Sequence, residues 1–192
     1  MKVALIVGDT GNEAHAIRYT LEEFGAEVMT KWIGRPNAFL SALTGEGLYP
    51  EFDTLVLSFH GEEGTFLLPE LGEDVYEEGE PRGNIGPEEI RQFASLEGKI
   101  VLSTGCETGD SELAQAFLDV GCKAYIAPEE AIDGNAATIF TQLFFYEKIQ
   151  NKRRTEEAFR LAQGIDSETR YFRLFQSGWI GTSPEGKRIV KD

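Results

Sequence analysis

The sequence predicts a three-layer α/β fold, with a mainly parallel central sheet and helices on both of its faces. Five short apolar runs, each of the length of a buried strand, recur at 3–7, 27–33, 53–59, 99–103 and 123–127. Segments with apolar residues at helical spacing stand between these runs. Strands that alternate with helices form parallel sheets that are covered on both faces, because each crossover lays a helix against the sheet.

The first half of the chain supplies three strands and two helices. The first strand, "VALIV", stops at a glycine–aspartate turn. The helix that follows has apolar residues at helical spacing and is ended by a glycine: Ala14, Ile17, Leu21 and Phe24, then Gly25. The second strand is "EVMTKWI", and Pro36 begins a weaker helix that runs to Leu43. The third strand, "DTLVLSF", delivers His60 and Gly61 at its carboxyl end.

The stretch from 62 to 86 interrupts this alternation. It is acidic and rich in glycine, with two short apolar pieces, which is typical of a hairpin or a long loop inserted after the third strand. We interpret it as a solvated mobile loop, with a lid or an autoprocessing loop as the functional alternatives. Pro87 then begins a helix, "PEEIRQFASL", with acidic residues in its first turn.

The second half repeats the pattern of strand and helix. The fourth strand, "KIVLS", delivers Cys106. Asp110 or Ser111 caps a helix that ends at Gly121, and its apolar face holds Leu113, Ala114, Phe117 and Leu118. The fifth strand, "KAYIA", precedes a longer helix capped by Asp133, whose apolar face holds Ala136, Ile139, Phe140, Leu143 and Phe144.

A further helix is predicted at about 155–163, and the tail "GWIGTSPEGKRIVKD" is predicted as a small hairpin or an extended end. The sequence contains neither an internal repeat nor a linker. It therefore predicts one domain over 1–192, with an acidic insertion at about 62–86 and a short C-terminal extension at about 165–192.

The composition restricts the partners of the chain. The 192 residues include 18 basic and 33 acidic side chains, a formal charge of −15, which disfavours nucleic acid and anionic membranes. No run is long enough to predict a membrane span, and the start lacks the pattern of a signal peptide. A cytoplasmic protein with reduced cysteines is therefore expected. The cysteine and histidine spacings match no metal site, so neither a metal nor a cofactor is predicted.

Two strand ends carry residues that suit nucleophilic catalysis. Ligands of parallel sheets bind at the carboxyl ends of the strands, which places His60 and Cys106 at one edge. A thiol attacks as its thiolate, and an imidazole takes the thiol proton and later returns it to a leaving amine. The helix that begins near Asp110 favours an anion at Cys106. The backbone N–H groups of Gly61 and Cys106 are the predicted donors to an oxyanion.

The chain contains one further cysteine and one further histidine. Cys122 enters a buried strand and is expected to be an inert core residue, while His15 is expected on the exposed face of the first helix. A cysteine or a histidine alone is more often structural than catalytic. Only the pairing of His60 and Cys106, each beside glycine, favours catalysis.

The motifs "FHG", "GTFLLPEL", "IVLSTGCETG" and "EEAFRLAQ" resemble those of caspase-like (clan CD) cysteine peptidases, and most closely the CHAT branch of that clan. The resemblance covers residues 53 to 163. It implies a caspase/flavodoxin-like fold and a cysteine endopeptidase in which Cys106 is the nucleophile, His60 is the general base and Gly61 helps to bind the oxyanion. Protein or peptide substrates are implied, and a separately encoded regulatory protein is a further expected partner.

The resemblance also suggests a residue preference. Relatives that cut after arginine or lysine recognise the basic side chain with acidic residues, and four acidic residues here are candidates for that role: Asp9, Glu107, Glu130 and Asp133. We expect cleavage after a basic residue. For Asp133, a helix cap is the favoured interpretation.

Two other functions compete with a peptidase. The first is a catalytically silent or latent caspase-like module that binds proteins in a signalling or defence assembly. The second is a flavodoxin-like domain in which "GDTGN" holds a phosphate, although that stretch matches no nucleotide-binding motif. The substrate, the activating signal and the oligomeric state are not encoded in any recognisable pattern.

Overall fold

The computed structural model describes residues 1–48, 51–176 and 179–180. A seven-stranded sheet lies at the centre of the fold. The strands in chain order are β1 Lys2–Val7, β2 Glu27–Trp32, β3 Thr54–Ser58, β4 Gly61–Glu62, β5 Thr65–Phe66, β6 Ile100–Ser103, β7 Ala124–Pro128, β8 Phe172–Gln176 and β9 Trp179–Ile180. The sheet has the order β2-β1-β3-β6-β7-β8-β9, and β4 and β5 form a separate hairpin. The first five strands of that order are parallel, β8 pairs antiparallel with β7, and β9 pairs antiparallel with β8.

Helices cover both faces of the sheet. They are α1 Gly11–Glu23, α2 Pro36–Leu43, α3 Pro87–Phe93, α4 Ser111–Asp119, α5 Gly134–Ile149 and α6 Thr155–Gln163, with a short 3-10 helix at Thr169–Tyr171. Side chains from α2, α3 and α4 share one hydrophobic cluster, and those from α1, α5 and α6 share the other. Every residue of β3 and β7 is buried, as expected for parallel strands covered on both sides. The predicted three-layer α/β fold is confirmed.

The predicted helix caps also form. The carboxylate of Asp110 accepts hydrogen bonds from the backbone N–H groups of Glu112 (2.8 Å) and Leu113 (3.2 Å), which begins α4. Asp133 accepts from the N–H of Asn135 at 2.7 Å and begins α5. These two caps fix the helices that leave the loops after β6 and β7.

Several predictions differ from the structure. Ile139 is 45% exposed, so it does not belong to the buried face of α5. The helix after Pro87 ends at Phe93 because the chain turns extended at Ala94, three residues short of the quoted segment's end. The antiparallel strand β8 was not predicted, since its motif "FRLFQ" mixes charged and apolar residues. Part of the predicted tail forms β9, and residues 181–192 lie outside the described part of the chain.

The acidic insertion contains the β4–β5 hairpin and then an irregular segment, residues 67–86. Phe66 pairs with Ile85 in an isolated antiparallel bridge, so the two ends of this segment lie side by side next to the hairpin. Arg35 and the backbone N–H of Asn37 at the start of α2 hydrogen-bond to the carboxylate of Glu80. The segment is therefore attached to α2 at its middle and to the hairpin at its ends.

Candidate active site

His60 and Cys106 follow adjacent parallel strands of the sheet. β3 pairs with β6 in a register that sets Leu57 opposite Ser103, and the N–H of Thr104 extends this ladder to the carbonyl of Leu57 at 3.0 Å. Both strands therefore end at the same edge. The chain order also reverses at this edge, between β1 and β3, which is where open α/β sheets form a ligand crevice.

The two loops pack against each other through glycine. A Cβ at Gly61 would collide with the carbonyl oxygen of Cys106 and would lie 2.5 Å from Cγ2 of Thr108. A Cβ at Gly105 would lie 3.1 Å from the carbonyl oxygen of Phe59. Only residues without a side chain allow the backbones to approach this closely, so the glycines beside His60 and Cys106 are explained by packing.

The turn that carries Cys106 is held by buried polar contacts. The hydroxyl of Thr108 donates to the carbonyl of Gly105 at 2.7 Å, and Tyr125 donates its hydroxyl to the carbonyl of Thr108 at 2.8 Å. Glu107 has a positive φ of 57°, an uncommon conformation for a residue other than glycine. Such strained positions persist only where the surroundings determine them, and they cluster at functional sites.

The thiol of Cys106 is half-buried and contacts the loop between β7 and α5. Its Sγ lies 3.4 Å from the backbone nitrogen of Ile132 and 3.5 Å from the carbonyl oxygen of the same residue. Within the described residues, the imidazole of His60 makes no hydrogen bond, and its side chain is exposed. The thiol is thus held by Ile132 in this structure, although hydrogen bonds between catalytic groups are often long without substrate.

A partly buried carboxylate that was not predicted from the sequence joins the two strand ends. Glu13, in the first turn of α1, accepts a hydrogen bond from the hydroxyl of Ser58 at 2.6 Å and another from Thr104 at 2.6 Å. Burial raises the pKa of Glu13, while these two hydroxyls and the nearby His60 counter part of that rise. The available signal in the sequence was an acidic residue in the first turn of the helix that follows β1.

An open groove of about 420 Å³ runs beside His60. Asp9 and Gly8 border it at the end of β1, and its apolar lining consists of Ile33, Leu67, Leu68 and Pro69. The last three belong to the insertion, which therefore forms one wall of the groove.

The four acidic residues proposed to contact substrate lie in different places. Asp9 lines the groove together with His60. The carboxylate of Glu107 accepts the N–H of Glu63 at 2.7 Å, and Asp133 is occupied as the cap of α5. Glu130 is exposed, and its carbonyl accepts the N–H of Glu107 at 3.3 Å. The structure therefore brings Asp9 into the groove and gives Asp133 its capping role.

Cys122 differs from Cys106 in its surroundings. It is buried in the core, and desolvation, with a smaller contribution from Glu97, raises the pKa of its thiol to about 12. A thiol in this state is inert near neutral pH. Cys122 therefore provides an internal control for the reactivity of Cys106.

The loop "GDTGN" is unsuited to a phosphate. Asp9 lies within it, and the carboxylate of Glu13 follows it at the start of α1, so negative charge occupies the helix end that would bind an anion. Across the described ranges, no group of three or more acidic, histidine or cysteine side chains is arranged to hold a metal ion. None of the helices that the structure describes combines the length and the apolar character needed to cross a membrane.

Neither a family model nor a curated protein matches this sequence. Among solved structures, the chain is similar to the Arg-specific cysteine proteinase gingipain R, with a TM-score of 0.57 and 12% identity over 88% of this chain and 43% of that chain. It is also similar to the Saccharomyces cerevisiae separase–securin complex, with a TM-score of 0.58 and 10% identity over 91% of this chain and 12% of that chain. A third similar structure is the complex of the Porphyromonas gingivalis RgpB pro- and mature domains, with a TM-score of 0.55 and 11% identity over 85% of this chain and 43% of that chain.

This chain spans less than half of each of these larger chains. At such low identity the likeness shows the fold alone. These structures support the caspase-like part of the resemblance at the level of the fold, and membership of the CHAT branch remains a prediction.

Proposed function

We propose that this chain is a cysteine endopeptidase that hydrolyses peptide bonds with Cys106 as nucleophile and His60 as general base. The observation that carries the proposal is the contact between the two glycine-containing loops, which sets both residues at adjacent ends of β3 and β6. In the reaction, the thiol proton of Cys106 moves to the imidazole, and the sulfur attacks the carbonyl carbon. The imidazolium then protonates the leaving amine, and water hydrolyses the resulting thioester.

The oxyanion donors remain part of this proposal. We assign the backbone N–H groups of Gly61 and Cys106 to the oxygen of the tetrahedral intermediate. The closeness of the two loops supports the assignment, because both groups lie on the segments that touch. Among the described residues, the hydrogen-bond partner of the Cys106 thiol is Ile132 and not His60, which supports a resting form that substrate or a regulatory protein converts.

For the substrate, we propose cleavage after arginine or lysine in cytoplasmic proteins or peptides. The groove beside His60 combines the carboxylate of Asp9 with an apolar lining, which suits a side chain with an aliphatic stem and a cationic end. The second candidate, a silent or latent module of the CHAT type that binds proteins, is favoured by the position of the thiol against Ile132.

The decisive test is labelling of native protein with iodoacetamide between pH 5 and pH 9, read for each cysteine by mass spectrometry. The enzyme hypothesis predicts that Cys106 is labelled much faster than Cys122 near pH 6.5, and that His60→Ala slows the labelling of Cys106 at this pH. His15→Ala is the matched control, since it removes the other histidine of the chain. Equal, slow labelling of both cysteines, even with substrate peptides present, would contradict the proposed dyad.

Activity is then measured with a library of fluorogenic peptides that vary the residue before the cut. We expect cleavage after arginine and lysine, loss of all cleavage in Cys106→Ser, and loss of the basic preference in Asp9→Asn. Asp133→Asn is the matched acidic control, because its carboxylate caps α5. A thiol that reacts readily but cleaves no peptide would support the silent module.

A further inference from the structure

The strand β2 forms one border of the seven-stranded sheet. Among the described residues it pairs with β1 alone. The backbone N–H groups of Glu27 and Ile33 donate to carbonyls of β1 at 3.0 and 2.7 Å, so the odd-numbered residues of β2 face β1. Successive residues of a strand direct their backbone groups to opposite sides, and three residues therefore direct theirs away from the sheet: Val28, Thr30 and Trp32. A row of outward N–H and C=O groups is a template for pairing with another strand.

The sequence of β2 lacks most of the features that protect a border strand. It is six residues long, which is the usual length of a strand, and it contains neither proline nor glycine. Its two charged side chains are Glu27 and Lys31, and neither forms a salt bridge with a residue that the structure describes. The ammonium group of Lys31 lies 3.4 Å from the carbonyl oxygen of Glu46. A lysine in a border strand ordinarily opposes pairing, so the strand can pair well only where this charge is matched.

Antiparallel pairing of β2 with β2 of a second copy has one register in which both charges are matched. When the two-fold axis passes through Met29, Glu27 of each copy lies opposite Lys31 of the other. Val28 then lies opposite Thr30, and their outward groups exchange hydrogen bonds. Glu27 and Lys31 form pairs without backbone hydrogen bonds, in which opposing side chains are closest. An axis at Val28 or at Thr30 also aligns the outward groups, but it separates the two charges.

A cavity beside Glu27 suits the lysine of the second copy. Its volume is about 150 Å³, and its lining includes Glu27, Met29, Ala4 and Phe52. Because side chains alternate along a strand, Glu27, Met29 and Lys31 share one face of β2. In the register about Met29, Lys31 of the second copy therefore lies on the side of the cavity. Apolar walls beside a carboxylate accommodate an aliphatic stem that ends in a cation.

The carboxyl end of β2 carries exposed aromatic side chains. Trp32 is 50% exposed, and its ring centroid lies 5.3 Å from that of His15. Tyr19 is 65% exposed and lies on the other side of His15, with ring centroids 5.9 Å apart. The register about Met29 sets Trp32 opposite position 26 of the second copy. Aromatic residues are enriched at interfaces between proteins, so this group extends the surface available to a second copy.

We propose that β2 is the interface of a homodimer, in which two copies pair antiparallel about Met29 and join their sheets into one. Glu27 and Lys31 of each copy form two reciprocal ion pairs with the other copy. The charge of −15 on each chain opposes association at long range, so the matched charges select this register over other contacts. The interface is small, because a single strand supplies most of it, and we expect a dissociation constant of about 1–100 µM. The inference is independent of peptidase activity.

The test is sedimentation velocity of the full chain, over about 1–500 µM at physiological ionic strength. Wild type should change from monomer to dimer within this range. Glu27→Lys and Lys31→Glu each replace two attractive pairs by two repulsive ones, and each should raise the dissociation constant at least about tenfold. The double variant E27K/K31E restores both pairs with their signs exchanged and should dimerise like wild type.

An equimolar mixture of the two single variants gives the sharpest result. In a mixed dimer, every changed or native charge of one variant lies opposite a charge of the other sign. The mixture should therefore form heterodimers at concentrations at which each variant alone is monomeric, which also shows that both variants are folded. Glu88→Lys and Lys152→Glu are the matched controls, because they make the same changes in net charge at exposed positions outside β2. Both controls should dimerise like wild type.

Amide hydrogen exchange locates the interface. The N–H groups of Val28 and Thr30 should exchange slowly in the dimer and quickly where the monomer predominates, while that of Met29, which faces β1, stays protected in both. The proposal is overturned if wild type stays monomeric throughout the range, if the single variants dimerise like wild type, or if their mixture does not associate. Protection of Val28 and Thr30 in the monomer would also overturn it, because another segment of the same chain would then cover the strand.

Discussion

Glu80 provides the clearest test of how the insertion is held beside the groove. Its side chain is completely buried, and its carboxylate accepts hydrogen bonds from Arg35 (3.0 and 2.5 Å) and from the backbone N–H groups of Asn37 (2.9 Å) and Glu77 (3.0 Å). Arg35, the main cause, lowers the pKa of Glu80 to about 2. We predict that Glu80→Gln loosens residues 67–80 and with them the groove wall at Leu67–Pro69.

The size of the effect follows from these contacts. Hydrogen bonds to a charged partner contribute about 1.5–3 kcal/mol, and breaking a buried ion pair costs more. Arg35 is 32% exposed, so water replaces part of what is lost. We therefore expect Glu80→Gln to lower the free energy of unfolding by about 2 kcal/mol. For a chain of this length that corresponds to a decrease of roughly 4–8 °C in Tm.

The assay is thermal unfolding at several pH values, with amide hydrogen exchange to locate the change. A lowered pKa contributes stability above the ordinary glutamate value of 4.5, and the contribution is lost as pH falls towards about 2. The difference in Tm between wild type and variant should therefore be full at pH 6 and nearly gone near pH 2. Glu77→Gln is the control, because Glu77 pairs with the same arginine but is 58% exposed. Equal melting of the two variants at pH 6 would refute the reasoning.

The remaining predictions concern the site. Cys106→Ser should abolish peptide cleavage by at least about a thousandfold while leaving the melting temperature within a degree or two of wild type, and residual activity above that level would exclude Cys106 as nucleophile. Gly61→Ala should lower the free energy of unfolding by about 2 kcal/mol and slow the labelling of Cys106, because the new methyl group would collide with the carbonyl of Cys106 and with Thr108. A variant as stable and reactive as wild type would show that the two loops are not in contact. Asp9→Asn should raise KM for arginine peptides about tenfold with little change in kcat, and an unchanged KM would remove Asp9 from the groove's function.

Most of the fold could be predicted from the sequence, because the residues that are buried in each strand or helix form a pattern within that short segment. Each of the five parallel strands was predicted within two residues of its bounds, since continuous apolar runs identify strands covered on both faces. The strand β8 was missed because it is antiparallel and near the edge of the sheet, where Arg173 alternates with Phe172 and Leu174. Ile139 was misassigned because α5 is apolar around most of its circumference, which leaves helical spacing unable to distinguish the buried face.

The candidate site could be predicted only in part, for a different physical reason. His60 and Cys106 were found because they follow strands directly, and the end of a parallel strand fixes where the next residue lies. Glu13 reaches the same edge from a helix. Its hydrogen-bond partners are 45 and 91 residues away in the chain, so its position depends on how α1 rests on the sheet. The residues around Glu13 do not by themselves indicate how α1 is oriented on the sheet.

This difference leads to a last prediction about proteins that share the site. A partly buried carboxylate at the position of Glu13 is stabilised by hydroxyl donors two residues before the histidine and two residues before the cysteine, and without these donors it would destabilise the fold. We therefore expect the three positions to change together, which can be checked by reading them in related chains and by a double-mutant cycle between Glu13→Gln and Thr104→Val. A coupling near zero in the labelling rate of Cys106 would mean that the carboxylate and the hydroxyl act independently. A substantial coupling would mean that the acid, the hydroxyls and the two strand ends function as one unit.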